Sequence, residues 1–404
     1  MLPRIAVVGM GGFARTHLQA AAELEAAGLA RQVAQVAIEA DRQAFGDQLK
    51  ALARREVAVY GSLRELLAAA RREIDLVVIP TGIALHRPMT EAALEAGCHV
   101  LVEKPAAGSI QDVDAMLAAQ ARSGRLCAVG YQHLCRDDVA RVKEWVCSGR
   151  LGRVRQVRAA GCWPRDPAYY RRNGWAGKVA VGDAWVLDSP HQNALAHAVN
   201  LMCYLGCDRP GEALIPATVQ AELYRANEIE SADTAVFRLI STEGVEVFFA
   251  VSHAVDRSVD PVVVLTGDRG VVELEYQGGG RAHWREGGVE ELPVLPGRGV
   301  LADLCEAIIG RRSGPACPLS MARAQSLCVC GTFESSAVHE VPASERRVRA
   351  ESGQVWVRGM TELVLRAGGE AALFSELEVP WAIAGERLDL AGYAYLPTWR
   401  VPPG

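Results

Sequence analysis

Arg4-Ile5-Ala6-Val7-Val8-Gly9-Met10-Gly11-Gly12-Phe13-Ala14 is the stretch on which the fold turns. A short apolar, β-branched run ends in a glycine-rich turn, and an Ala- and Leu-rich helical stretch follows to about Gly28. The turn has the form G-x-G-x-x-A. Gly9 permits the tight bend, Gly11 lets the backbone approach a pyrophosphate, and Ala14 allows helix to pack closely on strand. The helix N-terminus, entered through Gly12 and Phe13, is then expected to face the phosphates. Alone the motif is weak. Between a first strand and a first helix, at the head of an alternating chain, it is specific.

Working outward, strands are expected at Val33 to Ile38, Val57 to Tyr60, Ile74 to Ile79, His99 to Val102 and Leu126 to Gly130. The Ile74–Ile79 run is apolar on both faces, as a buried parallel strand should be. Helices lie between: Ser62 caps one from Leu63 to about Arg72, and Pro88 starts another that Gly97 ends. Strand–helix alternation of this kind implies a doubly wound parallel sheet over residues 1–130. Beyond it the pattern changes. A helix at about Asp138–Ser148 leads into Val154–Ala160, Ala217–Tyr224, Thr234–Ser241, Glu246–His253, Val262–Thr266 and Val271–Tyr276. Strands in succession without crossover helices indicate a largely antiparallel sheet, hence an α+β domain over 131–344. Residues 345–404, with a helix around Met360–Arg366, read as a separate extension to which no chemistry is assigned.

Composition removes several function classes. The 404 residues carry a formal charge of −5 and no long basic run, which argues against a nucleic-acid partner. No apolar run approaches the ~20 residues needed to span a bilayer, and the opening lacks a leader-like segment, so no membrane is expected and the expected location is cytoplasmic. The 11 cysteines are scattered without His or acidic partners at ligand spacing, which suggests reduced thiols and no metal site. The basic residues are uneven: only Lys50, Lys104, Lys143 and Lys178 are lysine, and the other 39 of 43 are arginine. A lysine retained in such a chain raises the question of whether its position needs an ammonium that a guanidinium cannot replace.

Two turns answer part of that question. In Asp75–Pro105, Pro80-Thr81 and Glu103-Lys104-Pro105 follow directly on strands. Ligands of open parallel sheets bind at the strands' carboxyl ends, so Thr81, His86, Glu103 and Lys104 are candidate cofactor contacts, and Lys104–Pro105 is a candidate cis peptide. Glu39, thirty residues after Gly9, ends the second strand where a carboxylate would hold the adenosine ribose hydroxyls, with Asp41 as competitor. A carboxylate there disfavours a 2′-phosphate, so NAD is preferred over NADP, although Arg42 lies close by.

The G-x-G-x-x-A loop, the strand and turn Asp75–His86 (DLVVIPTGIALH) and the block Ala96–Pro105 (AGCHVLVEKP) resemble those of the glucose-fructose oxidoreductase/inositol dehydrogenase (Gfo/Idh/MocA) family of NAD(P)-dependent oxidoreductases. The likeness is dense to about residue 160 and looser to about 340. It implies a Rossmann domain followed by an α/β domain whose open sheet shapes the substrate site and often an oligomer interface, hence a homo-oligomer, dimer or tetramer. It also implies that Lys104 is catalytic.

Family dehydrogenases bring an Asp-x-x-x-His pair, and here the chain departs. If His197 is the family histidine, the position four residues earlier is Asn193; if Asp188 is the family aspartate, the helix start is extended. Asn193, His197, Asn200 and Tyr204 form one uncharged polar stripe on an otherwise apolar helix from Asn193 to Gly206, which points to an enclosed site or a satisfied polar core. Upstream, Trp163–Lys178 interleaves aromatics with Arg, Asn and Lys in a chain only 6% aromatic. Such a segment suits a sugar, and Arg165, Tyr169, Trp175, Lys178 and Asn193 are its candidate substrate contacts. The combined expectation is hydride transfer between nicotinamide and a carbinol carbon of a sugar, cyclitol or related polyol. His197 would be the base, Lys104 would stabilise the alkoxide, and Asn193 or Asp188 would orient the histidine or the substrate. Two alternatives stand beside it: transient oxidation with elimination, glycoside cleavage or epimerisation and no net NADH, and a non-catalytic nucleotide-binding sensor or scaffold.

Overall fold

The computed structural model describes residues 2–397, which form two compact units. The first contains the chain up to Ala107, Asp112–Cys135 and Gly297–Ala322. Its sheet has β1 (Arg4–Val8), β2 (Arg31–Val36), β3 (Ala58–Tyr60), β4 (Leu76–Ile79), β5 (His99–Val102) and β6 (Cys127–Val129) in the order β3-β2-β1-β4-β5-β6, every pair parallel. The order reverses between β1 and β4, which makes the carboxyl ends of those strands the switch point where such sheets bind ligands. All four residues of β4 are buried, because helices cover both faces.

One element of this unit comes from far along the chain. Helix Val300–Ile308 packs Leu301, Leu304 and Cys305 against Ile5, Val7, Leu76, Val78 and Leu101. The contiguous division at residues 130 and 344 is therefore corrected: Gly297–Ala322 belongs with the first unit. Amphipathic spacing identifies that helix but carries no information about which core receives it.

The second unit holds Gly108–Gln111, Arg136–Pro296 and the chain from Arg323 onward. Its strands are β7 (Val154–Cys162), a small ribbon of β8 (Ala180–Val181) with β9 (Ala184–Trp185), then β10 (Pro216–Arg225), β11 (Thr234–Ser241), β12 (Glu246–Ser252), β13 (Val262–Gly267), β14 (Gly270–Glu275), β15 (Gly280–Trp284), β16 (Val289–Leu292) and β17 (Val338–Glu340). The large sheet runs β16-β15-β14-β13-β7-β12-β11-β10-β17 and is antiparallel except for β7–β12 and β10–β17.

The extension is not a separate appendage. Helix Met360–Glu370 and the segment after it lay Val364, Ala367, Leu373 and Phe374 on Tyr224, Val236, Phe248 and Ala250, covering one face of β7, β10, β11 and β12. Burying the larger of these, Val364, Leu373 and Phe374, contributes roughly 1.5–3 kcal/mol each. Polar contacts fix the register: Arg158 Nη1 donates to Gly368 O (3.0 Å) and Gly369 O (2.5 Å) at the helix C-terminus, and Arg238 pairs with Glu376 at 2.8 Å. The Phe374 ring stacks on Tyr224 at 5.8 Å between centroids.

Candidate functional site

In the first unit the glycine turn is built as its sequence requires. Gly9 has φ +85° and Gly12 φ +56°, both left-handed, and Gly9 N–H donates to Val36 O at 2.8 Å. The buried Gln35 braces the turn from below through Nε2 to Gly9 O at 2.7 Å. Helix Ala14–Ala26 follows, with no side chain capping its N-terminus and no acidic residue in its first turn. A helix start with no side-chain cap and no carboxylate, behind a left-handed turn, fits a pyrophosphate. Phe13 is exposed, and Ala14 is buried against the sheet.

Glu39 starts a short helix, Glu39–Ala44, rather than ending a strand, because β2 stops at Val36. Its carboxylate is exposed and accepts only from Gln43 Nε2 among its described side-chain hydrogen bonds, so it can still meet a diol. Arg42 is exposed, with its Nε donating to Ala37 O at 3.1 Å.

The turns after β4 and β5 are tied together. His86 is buried, with Nδ1 2.8 Å from Pro105 O and Nε2 3.0 Å from Thr81 O. Burial holds its pKa below the ordinary histidine value, so the neutral ring donates to one carbonyl at a time. This corrects the expectation for His86: with both nitrogens facing carbonyls it joins two loops and leaves no ring atom for a cofactor. Thr81 is half-buried, its hydroxyl 3.9 Å from Met89 Sδ. Lys104–Pro105 is cis.

Glu103 also departs from a direct cofactor role. Its carboxylate is buried, with Oε1 2.8 Å from His17 Nε2 and Oε2 accepting the Lys104 N–H at 3.0 Å. A Cβ on Gly130 would come within 2.4 Å of Glu103 Oε1, so glycine is required beside it. His17, which sequence reasoning passed over, thus joins the first helix to the Lys104 turn. The available signal was a histidine among the apolar positions of that helix.

In the second unit the two alternatives for the family aspartate prove to be partners. Asp188 is buried; Oδ1 accepts from Asn193 Nδ2 at 2.7 Å, and Oδ2 accepts from Gly177 N–H at 2.7 Å and from Arg172 Nη2 at 3.2 Å. Asn193 stands in a π-turn, Pro190–Ala194, closed by Leu195 N–H to Pro190 O at 2.7 Å. The regular helix begins only at Ala196 and places the buried His197 in its first turn. The single stripe expected from Asn193 to Tyr204 is corrected accordingly. Asn193 precedes the helix, Asn200 is fully buried with neither side-chain atom hydrogen-bonded, and Tyr204 packs under Lys143, whose Nζ is 4.2 Å from the ring centroid.

Lys143 is a second residue missed. Its buried ammonium donates to Tyr204 O (2.7 Å), Cys207 O (2.6 Å) and Glu212 O (3.1 Å), closing the C-terminus of the helix that carries His197. The lysine shortage was the signal, and it applied here as well as to Lys104.

The aromatic–basic segment forms a stack. Arg165 lies over Trp163 (5.5 Å) and Tyr169 (4.6 Å), and Arg172 over Tyr169 (3.8 Å) and Trp175 (5.0 Å). Lys178 is exposed and lines a different concavity, a cleft of about 920 Å³ shared with Tyr170, Arg171, Arg225 and Glu230. All 11 cysteines are free thiols, and among the described residues no group of three or more His, Cys, Asp or Glu could hold a metal ion. No helix of the described residues is long and apolar enough to cross a membrane.

Comparison with known proteins identifies the class. Residues 3–131 match the oxidoreductase family NAD-binding Rossmann fold of Gfo/Idh/MocA, and residues 139–273 match that family's C-terminal domain. The chain belongs to the Gfo/Idh/MocA family of NAD(P)-dependent oxidoreductases. Among curated relatives, dTDP-3,4-didehydro-2,6-dideoxy-alpha-D-glucose 3-reductase of Streptomyces violaceoruber is 32% identical over 221 residues, 52% of this chain and 61% of that one. Inositol 2-dehydrogenase of Acidiphilium cryptum is 31% identical over 171 residues, 42% of this chain and 48% of that one. The matched stretches thus span less than two thirds of these relatives. Among solved structures, the WlbA dehydrogenase of Bordetella pertussis, in complex with NADH and UDP-GlcNAcA, is similar at TM-score 0.66 and 21% identity, covering 82% of this chain and 96% of that one. The aldose-aldose oxidoreductase of Caulobacter crescentus, complexed with glycerol, is similar at TM-score 0.64 and 23% identity, covering 80% and 95%. At these identities the structural likeness shows the fold.

Proposed function

We propose that this protein is an NAD-dependent dehydrogenase that oxidises, reversibly, a carbinol carbon of a sugar, cyclitol or related polyol. The observation that carries the reading is Lys104: a lysine in a chain with 39 arginines, at the carboxyl end of a central parallel strand, on a turn anchored by Glu103–His17 and by His86. The glycine turn and the uncapped first helix would hold the pyrophosphate, and Glu39 the adenosine ribose, whose diol a carboxylate prefers to a 2′-phosphate. The nicotinamide, when bound, supplies or accepts the hydride.

The chain's own groups handle position and proton. His197 takes the hydroxyl proton, since an imidazole's ordinary pKa lies near neutral pH. Lys104 donates to the same oxygen and stabilises its developing charge. Asn193, held by Asp188 in the π-turn that precedes His197, orients that histidine or the substrate. Arg165, Tyr169 and Trp175 offer the flat faces and donors that a polyol needs, and Lys178 an outer contact. Any homo-oligomer would pair through a surface other than the sheet face that helix Met360–Glu370 already occupies.

The test is Lys104→Ala and Lys104→Arg with NAD+ and a panel of free sugars, glycosides, uronates and cyclitols, following NADH and product together. Both variants should lose at least ~10²-fold in turnover while NAD affinity changes little. An arginine variant with near-normal turnover refutes the role of the lysine. Product formation without net NADH moves the reading to transient oxidation.

A further inference from the structure

The aromatic–arginine stack contains a charge that no carboxylate of the described residues pairs with. Arg165 follows β7, its backbone N–H donating to His253 O at 3.2 Å, and its guanidinium is held by the rings of Tyr169 and Trp163. Its Nε is buried and has no hydrogen-bond acceptor. Among the described residues no carboxylate pairs with it: Asp166, the next residue, is exposed and caps Tyr169 N–H, and three further carboxylates are committed elsewhere. Asp188 serves Gly177, Arg172 and Asn193. Asp233 accepts from Ala226 N–H, from Asn227 N–H and Nδ2, and from the Thr234 hydroxyl. Asp260 accepts from Trp163 Nε1 at 2.7 Å and from Gln277 at 3.1 Å. A guanidinium taken partly out of water with no counter-ion is costly unless an anion arrives, and its planar fork matches a carboxylate in two parallel hydrogen bonds.

The same stack limits the anion's charge. Arg172, the other guanidinium on the Tyr169 ring, is paired with Asp188 at 3.2 Å. His253 beside Arg165 is neutral, its pKa pushed down to about 3 by burial and by the charges of Arg165 and Arg172, with its hydrogen bond to Trp163 O opposing. One unpaired positive charge between two aromatic faces suits a monoanion attached to a carbon skeleton better than a phosphate dianion.

We propose that Arg165 is the receptor for a carboxylate on the substrate, so that the polyol oxidised is an acid sugar, a uronate or aldonate, and not its neutral parent. The proposal rests on the dehydrogenase reading above for its reaction but not for its binding. Matched pairs that differ only in CH2OH against COO−, such as glucose with glucuronate, are assayed with NAD+ for wild type, Arg165→Met and Arg165→Lys. In parallel, glucuronate is titrated into the NAD-loaded protein with tryptophan fluorescence as the readout, since Trp163 and Trp175 flank the stack.

Wild type should favour the acid by ~10²-fold or more in kcat/KM. Arg165→Met should erase the preference chiefly through KM and raise the glucuronate Kd by a similar factor, with the NAD Kd unchanged as the control for folding. Arg165→Lys, which keeps the charge and loses the fork, should fall between. Equal turnover of acid and neutral sugars by wild type overturns the proposal and leaves the dehydrogenase reading standing. Arg165-dependent glucuronate binding without hydride transfer to any substrate supports the proposal and refutes that reading. Glucuronate binding that Arg165→Met leaves unchanged overturns the proposal whatever the turnover.

Discussion

Lys143→Met is the perturbation whose size the structure defines best. Methionine has nearly the length of lysine and keeps the stem's packing, so the change removes the ammonium and little else. Three buried or half-buried carbonyls, those of Tyr204, Cys207 and Glu212, lose a charged donor at 2.7, 2.6 and 3.1 Å. Tyr204 O still accepts from Cys207 N–H at 3.4 Å, and each acceptor left without a donor costs about 1–3 kcal/mol. Against this stands the relief of a buried cation, whose pKa burial already pulls below the ordinary lysine value. The net expectation is a loss of about 3–5 kcal/mol, the range for breaking one side of a buried charged cluster, or roughly 10 °C in Tm for a unit of this size. Arginine should not rescue it, because a planar fork cannot converge three donors on one point. Urea unfolding followed by near-UV circular dichroism gives the free energy, and turnover at low denaturant reports on the helix that carries His197. A methionine variant within about 0.5 kcal/mol of wild type, the scatter of an ordinary surface substitution, would refute the carbonyl cage.

Acid sensitivity and the docking of the C-terminal helix supply further tests. His191 and His253 are buried neutral, both held down to about 3 chiefly by burial. Between about pH 6.5 and 3 the unfolded chain binds protons there that the native state refuses. Stability present above pH 6.5 is therefore lost on acidification, by on the order of 1 kcal/mol per pH unit for each histidine. His191→Gln should flatten that slope in urea midpoints taken from pH 7 to 4, and an unchanged slope would count against a neutral buried ring. Gly368 and Gly369 are adjacent in one helix, yet a Cβ on Gly368 would meet Ala160 Cβ at 2.5 Å, whereas Gly369 faces open space. Gly368→Ala should cost about 1–3 kcal/mol by overpacking, and Gly369→Ala should be neutral or gain up to ~1 kcal/mol from helix propensity. Equal behaviour in thermal melts would show that the helix is not pressed on the sheet.

The N-terminal half of the chain was the more legible, because its signals are local. Gly9, Gly12 and Ala14 act through the backbone at their own positions, and β4 is apolar on both faces because helices bury both. Lys104 could be singled out because a strand's carboxyl end and a residue shortage both show in one dimension. The partnership of Asp188 with Asn193 could not, since a π-turn inserts one residue and shifts the count on which helical spacing depends. His17 with Glu103 was equally hidden, the two being 86 positions apart.

By itself, then, the sequence determined the doubly wound sheet, its nucleotide turn and the family, and it offered a short set of candidate residues that includes Lys104 and His197. These follow from backbone sterics and from hydrophobic period, each of which acts within a few residues. Tertiary structure alone decided that Gly297–Ala322 completes the first core, that the extension covers the second unit's sheet, that His86 and Glu103 brace loops, and that no carboxylate of the described residues pairs with Arg165. An apolar face states only that it must be buried, and a charged group only that it needs a partner or water. Which surface or partner meets that need depends on segments distant along the chain, and only their packing in three dimensions settles it.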